Sequence, residues 1–299
     1  MFHMNFFELQ IVQTEEELEE LAEILRRAKY HFYDTETTGK RVRYPGEVFP
    51  VGFTFAVEDE VDERVFYIPL MHEFEGEYKS HIDLAKLKLN PKDFPHFDES
   101  GWIGKEFYNM DYALVMSKLK PIFEMAKNER EISKVRLTEE SFVDTPNISP
   151  VRIAHNQSYD WHVLANCGID IDKVANNLNY EDTMVMYHTR WEEEEKKLES
   201  AVERCFGLKK TDYNDIVATV TNEEKKQLGF KTVSTKAAFQ HTQIQTGAQY
   251  SAEDVWFMKQ LYPELLRELK EDDTFDYYQK YRVPFLKVLW DIERRVVKY

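Results

Sequence analysis

The chain has 299 residues, of which 42% are hydrophobic and 31% charged, with a formal net charge of −16. That length and balance exclude a peptide-scale scaffold and a disordered polymer, and no apolar run is long enough to span a bilayer, so no membrane partner is expected. The negative charge argues against a protein that coats nucleic acid by counterion release, which needs Lys and Arg set against phosphates; it is compatible with acids gathered at a metal site, where bound cations reverse the local sign.

The first residues, MFHMNFFELQIVQTEEELEE, lack the basic flank and apolar run of a secretion signal, and a cytoplasmic location is expected. Thr14 followed by EEELEELAEILRRA places Leu18, Leu21, Ala22 and Leu25 on one face, the pattern of a capped amphipathic helix. YHFYD, VFPVGFTFAV and RVFYIPL then read as a three-stranded meander with Asp34 and Glu36 at the end of its first strand. Residues 71 to about 109 carry Pro91, Pro95, Gly101 and Gly104 and read as a surface insertion. MDYALVMSKLK, continuing past Pro121, is helical, and a second polar insertion runs from about 128 to 150. VRIAH is a short strand, SYDWHVLANCG a helix ended by Gly168, and KLESAVERCFG a helix stopped by Gly207. From Arg204 to Gln240, seven Lys or Arg face four acids, a local +3 suited to a strand's backbone or to a solvated surface. SAEDVWFMKQLYPELLRELKE is a long helix, with Tyr250 and Asp254 one turn apart at its start. RVPFLKVLWDIERRVVKY opens with Pro284 and sets Phe285, Val288, Leu289, Ile292 and Val296 along one face that needs a partner surface. Cys167 and Cys205 lack CxxC spacing and read as core thiols.

The chemistry concentrates in four acids from three separated segments: Asp34 and Glu36 in YDTETTG, Asp160 in AHNQSYD, and Asp254 in YSAED. Brought together, such carboxylates supply hard oxygen ligands for two divalent cations, an arrangement that cleaves phosphodiesters by in-line attack of water. His155 reads as a packed neighbour rather than a ligand, Asp182 as a helix cap, and Glu192 to Glu195 as a solvated helix start.

Asp34-Thr35-Glu36, His155-Asn156-Gln157-Ser158-Tyr159-Asp160 and Tyr250 to Asp254 stand in the order of the DxE, HNxxxD and YxxxD motifs. With KLKPIF, LANCGI and EDTM between them, the chain resembles the proofreading 3′-to-5′ exonuclease domain of polymerase I type (family A) DNA polymerases, in the tyrosine subclass of the DnaQ-like nucleases. The resemblance implies an α/β, ribonuclease-H-like fold, a mixed five-stranded sheet flanked by helices, over residues 1–270. It implies two Mg2+ or Mn2+ ions. Asp34, Glu36 and Asp254 would hold the ion that activates water, and Asp34 would bridge to a second ion that stabilises the leaving 3′ oxygen, aided by Asp160 through its water shell. Tyr250 would orient the attacking water. Thr35, Thr38 and Asn156 would lie near the bound terminal nucleotide, with main-chain groups of Thr35, Thr37 and Thr38 approaching it. The implied activity is hydrolysis of single-stranded or frayed DNA 3′ ends to 5′-mononucleotides, with a DNA polymerase as partner in cis or in trans, in a bacterial or phage-infected cytoplasm. Residues 271–299 look like the approach to a polymerase region; Val296 stands where the family has Gly, no palm, fingers or thumb motif follows, and polymerase activity is not expected. Two other readings share these features: a ribonuclease trimming RNA 3′ ends, and a noncatalytic polymerase-docking module.

Overall fold

The computed structural model describes residues 7–58, 64–73, 106–125, 134–136, 142–144, 150–175, 179–217 and 238–296. A short strand β1 (Leu9–Ile11) leads into helix α1 (Glu15–Arg27). The cap expected at Thr14 is complete: its side chain accepts from the Glu17 N–H, and the Glu17 carboxylate accepts from the Thr14 N–H. Strands β2 (Tyr30–Thr37), β3 (Pro50–Glu58) and β4 (Val65–Pro69) form the expected meander. Helix α2 (Tyr112–Phe123) follows, then the short hairpin β5 (Lys134–Arg136) and β6 (Phe142–Asp144), which falls within the second expected insertion. Most of both insertions, and the basic residues Lys225, Lys226, Lys231 and Lys236, lie outside the described residues.

Strand β7 (Val151–Ala154), helices α3 (Gln157–Asn166) and α4 (Ile171–Val174), strand β8 (Tyr180–Asp182) and helices α5 (Thr183–Arg190), α6 (Leu198–Phe206) and α7 (Tyr213–Ile216) come next. A long helix α8 (Ile244–Glu271) crosses the sheet, and a helical turn with a π-helical segment (Tyr278–Arg282) feeds the last helix, α9 (Val283–Val296). The sheet order is β1-β4-β3-β2-β7-β8, with β2 antiparallel to β3 and parallel to β7. The fold is therefore the mixed α/β arrangement expected, with six strands: β1 pairs parallel to β4 and extends the edge, a three-residue element too short to show period-2 patterning.

Two local readings change. Helix α8 begins at Ile244, so Tyr250 sits in its second turn rather than at its start. The early start depends on Gly247, where a Cβ would come within 2.9 Å of the His72 ring and 3.1 Å of Phe239. The Glu192–Glu195 run is an exposed turn, and α6 starts only at Leu198. On α9, Val283, Leu286 and Trp290 are buried against the rest of the chain, and Phe285, Val288, Leu289 and Ile292 of the expected apolar face are exposed; Val296 lies outside the described side chains.

Candidate metal centre and cleft

Strand β2 places Asp34 and Glu36 on one face because residues two apart on a strand point the same way. Opposite Glu36 on β3 stands Gly52, where a Cβ would clash with the Tyr67 ring at 2.2 to 2.7 Å, so the aromatic packs directly on bare backbone. Helix α8 crosses this part of the sheet and delivers Asp254: one oxygen each from Asp34, Glu36 and Asp254 lie within 4.8 Å of one another. Asp160, in the first turn of α3, joins from the other side, its Oδ1 accepting from the Thr35 hydroxyl at 2.7 Å. All four acids, with Tyr250, line one cleft of about 1090 Å3.

The electrostatics show acidic charge that is only partly compensated. Burial raises the pKa of the Asp34 carboxyl to about 6 and that of Glu36 to about 8, the latter helped by repulsion from Asp34; burial and Asp34 also raise Asp160 well above the usual carboxylate range. A relay of hydroxyls partly offsets this, Thr54 donating to Ser251 at 2.8 Å and Ser251 to Glu36 at 3.1 Å. Among the described residues Asp254 Oδ1 is buried with no aligned hydrogen-bond donor. Three hard carboxylate donors converging in a partly dehydrated pocket fit a divalent cation, which would hold the carboxylates ionised.

The structure adds a residue that the motifs did not single out. Lys210, buried beneath the cleft, brings its Nζ to 2.6 Å from Asp254 Oδ1 and 3.8 Å from the centroid of the Tyr250 ring. The contact with Asp254 is an ion pair whose geometry lacks hydrogen-bond alignment, so the oxygen has a charged neighbour but no aligned donor. Burial lowers the Lys210 pKa, against the pull of Glu253 and other nearby carboxylates. Within the basic-looking 204–240 stretch nothing in spacing marked this one lysine; its companion signal is Glu253, buried beside Asp254, whose carboxylate accepts from the Thr211 N–H and hydroxyl at 3.0 Å each.

The expected substrate residues divide. Asn156 lines the cleft in a left-handed conformation (φ 72°), which asparagine tolerates, and its N–H donates to Asp182 Oδ1 at 3.1 Å. Thr35 lines the cleft too, but its side chain is buried and committed to Asp160. Thr38 lines the cleft as well, with its N–H donating to the Phe49 carbonyl at 3.0 Å and its hydroxyl accepting from the Phe49 N–H. His155 is packed as expected: burial lowers its pKa, the neutral ring donates from Nε2 to the Lys196 carbonyl, and Nδ1 accepts from the Thr183 hydroxyl, each at 3.0 Å. Asp182 caps α5, accepting from the Met184 and Val185 N–H groups, and through Gln157 also fixes the start of α3. The cleft rim adds Glu195, Glu199, Glu203 and Asp212 against Lys40 and Lys197. Cys167 and Cys205 are free and half-buried. Among the described residues no helix is long and apolar enough to cross a membrane.

No protein-family model matches the chain, and no curated protein sequence does. Solved structures do. The catalytic core of RRP6 from Trypanosoma brucei superposes with a TM-score of 0.51 at 14% identity, over 94% of this chain and 52% of that one. Trypanosoma brucei RNase D superposes with a TM-score of 0.50 at 11% identity, over 88% of this chain and 66% of that one. The chain thus spans about half the length of the first and under two thirds of the second. At these identities the likeness establishes one thing, that the chain shares the mixed-sheet, ribonuclease-H-like fold of those two structures.

Proposed function

We propose that this chain is a divalent-metal-dependent 3′-to-5′ exonuclease that shortens single-stranded or frayed DNA, releases 5′-mononucleotides and proofreads beside a DNA polymerase. The observation that carries the nuclease reading is the convergence of Asp34, Glu36, Asp160 and Asp254 from β2, α3 and α8 on one cleft, with Tyr250 one turn from Asp254. The choice of DNA rests on the resemblance of the three motifs and their connecting segments to polymerase-linked domains.

Asp34, Glu36 and Asp254 would hold one cation and Asp34 with Asp160 a second. When bound, a pair of divalent ions supplies an activated water and charge stabilisation at the leaving oxygen. Everything else falls to the chain. Thr35 fixes the Asp160 carboxylate, and Ser251 fixes Glu36. Tyr250 orients the attacking water by its hydroxyl and does not take the proton, because burial and the neighbouring carboxylates raise its pKa and keep the phenol protonated. Lys210 places a positive charge against Asp254 at the edge of the cluster, offsetting the charge of the carboxylates and adding to the attraction for a phosphate. An unpaired 3′ end is preferred because it enters without the cost of unstacking and unpairing.

A second reading, trimming of RNA 3′ ends, is favoured by one observation: one of the two structures described above, which shares the fold, is named a ribonuclease. Equal concentrations of DNA and RNA strands of one sequence, each with a free 3′ hydroxyl, separate the two. Faster shortening of the DNA supports the first reading. Faster shortening of the RNA assigns the chain to RNA processing.

A further inference from the structure

We infer that Glu293, on the C-terminal helix α9, is a positioning residue for the cleft, holding the helix that carries Asp160 and the loop that forms the cleft's rim; the inference rests on the nuclease reading above. Glu293 Oε2 accepts from the Ser158 hydroxyl at 3.0 Å and from His162 Nε2 at 3.1 Å, two groups that flank Asp160 on α3 by two residues on either side. Its other oxygen, Oε1, pairs with Arg43 at 2.6 Å, in the loop between β2 and β3. One carboxylate therefore ties three pieces of chain together. His162 is buried with its ring lying against Trp290 of α9, which keeps the acceptor and donor in register.

The neighbouring residue repeats the link. Arg294 donates to Asn166 Oδ1 at 2.9 Å, at the far end of α3, and to the Arg43 carbonyl at 3.3 Å. Asn166 in turn donates to the Val48 carbonyl at 2.9 Å, and Val42, Val48 and Val163 pack as a small core between loop and helix. That same loop contributes Thr38, Gly39 and Lys40 to the cleft. Asp160 is thus held directly by Thr35 on the sheet, and its helix is held two residues to either side, at Ser158 and His162, by Glu293 behind it. Supporting groups of this kind set the orientation of a ligand, and their loss lowers metal affinity by roughly 10- to 100-fold. The C-terminal helix thus braces, from behind, the helix and the loop that line the cleft.

Mn2+ uptake, followed by the electron paramagnetic resonance of the free ion, tests this on the wild type, Glu293→Ala, Glu293→Gln and, as reference, Asp160→Ala, with amide hydrogen exchange over 38–49 and 157–166. The inference expects Glu293→Ala to bind Mn2+ about tenfold more weakly at the site that Asp160→Ala removes, leaving the other site unchanged, and to exchange faster in both segments. Glu293→Gln keeps an acceptor oxygen for Ser158 and His162 and recovers most of that affinity, which also covers the case of an unfolded alanine variant. Wild-type affinity and wild-type exchange in both variants would overturn the inference. A wild type that takes up no Mn2+ would instead overturn the nuclease reading, and the exchange rates alone would then decide whether Glu293 braces the loop and helix.

Discussion

Replacing Glu36 by Gln should stabilise the metal-free protein while destroying its ability to act. Burial and Asp34 raise the Glu36 carboxyl from 4.5 to about 8, so at pH 7 the folded chain keeps a proton that the unfolded chain has released. At about 1.4 kcal/mol for each pH unit between 4.5 and 7, this costs the folded state on the order of 3 kcal/mol. The sign follows from linkage. A carboxyl whose pKa is raised on folding contributes stability that is complete below about 4.5 and lost as pH rises toward 8. Glutamine carries no charge, fills the same volume and still accepts the Ser251 hydroxyl. For a chain of this size, about 2 to 4 °C of melting temperature accompanies each kcal/mol, so a rise of several degrees at pH 7 is expected. Calorimetry in EDTA at pH 5, 6, 7 and 8 measures it: the wild-type curve falls across this range, and the variant lies above it with a shallower slope. A variant that melts at or below the wild type at pH 7, with the same pH dependence, would refute the claim that the acidic charge of this cluster is only partly compensated.

Three further outcomes follow from the same geometry. Lys210→Met keeps the buried stem and removes the charge beside Asp254, and should lower kcat on the order of 10²-fold in steady-state cleavage assays; an unchanged kcat would make the lysine structural only. Tyr250→Phe should lower kcat about tenfold, short of the 10²- to 10⁴-fold that loss of a proton-transfer group brings, because the phenol stays protonated; complete inactivity would give the hydroxyl a larger part. Thr35→Val removes the donor to Asp160 with little change in volume, and should raise the Mg2+ concentration for half-maximal activity by roughly 10- to 100-fold with the melting temperature lowered by only a few degrees.

The acids of this cleft were legible because each obeys a local rule. Asp34 and Glu36 are two apart on a strand, Tyr250 and Asp254 four apart on a helix, and Asp160 stands in the first turn of a helix after a short strand. The meander and the capped first helix were readable for the same reason. What escaped was set by tertiary packing. Lys210 follows no period, and its burial depends on Glu253 and Asp254 arriving from α8. The start of α8 at Ile244 depends on the space that Gly247 leaves for His72 and Phe239. Helix α9 is apolar around most of its circumference, so its sequence supports two inward faces; Trp290 against His162 and Glu293 against Ser158 select the one that turns Phe285 and Ile292 to solvent.

The central claim, a metal-dependent 3′-to-5′ exonuclease, is tested most directly by time-resolved cleavage of a single-stranded DNA labelled at its 5′ end, with Mg2+ or EDTA, in wild type and Asp34→Ala. A ladder that shortens one nucleotide at a time from the 3′ end is expected in Mg2+, and none in EDTA or in the folded variant. Equal shortening by Asp34→Ala, or no shortening of either DNA or the matched RNA by the wild type in Mg2+ or Mn2+, would contradict it.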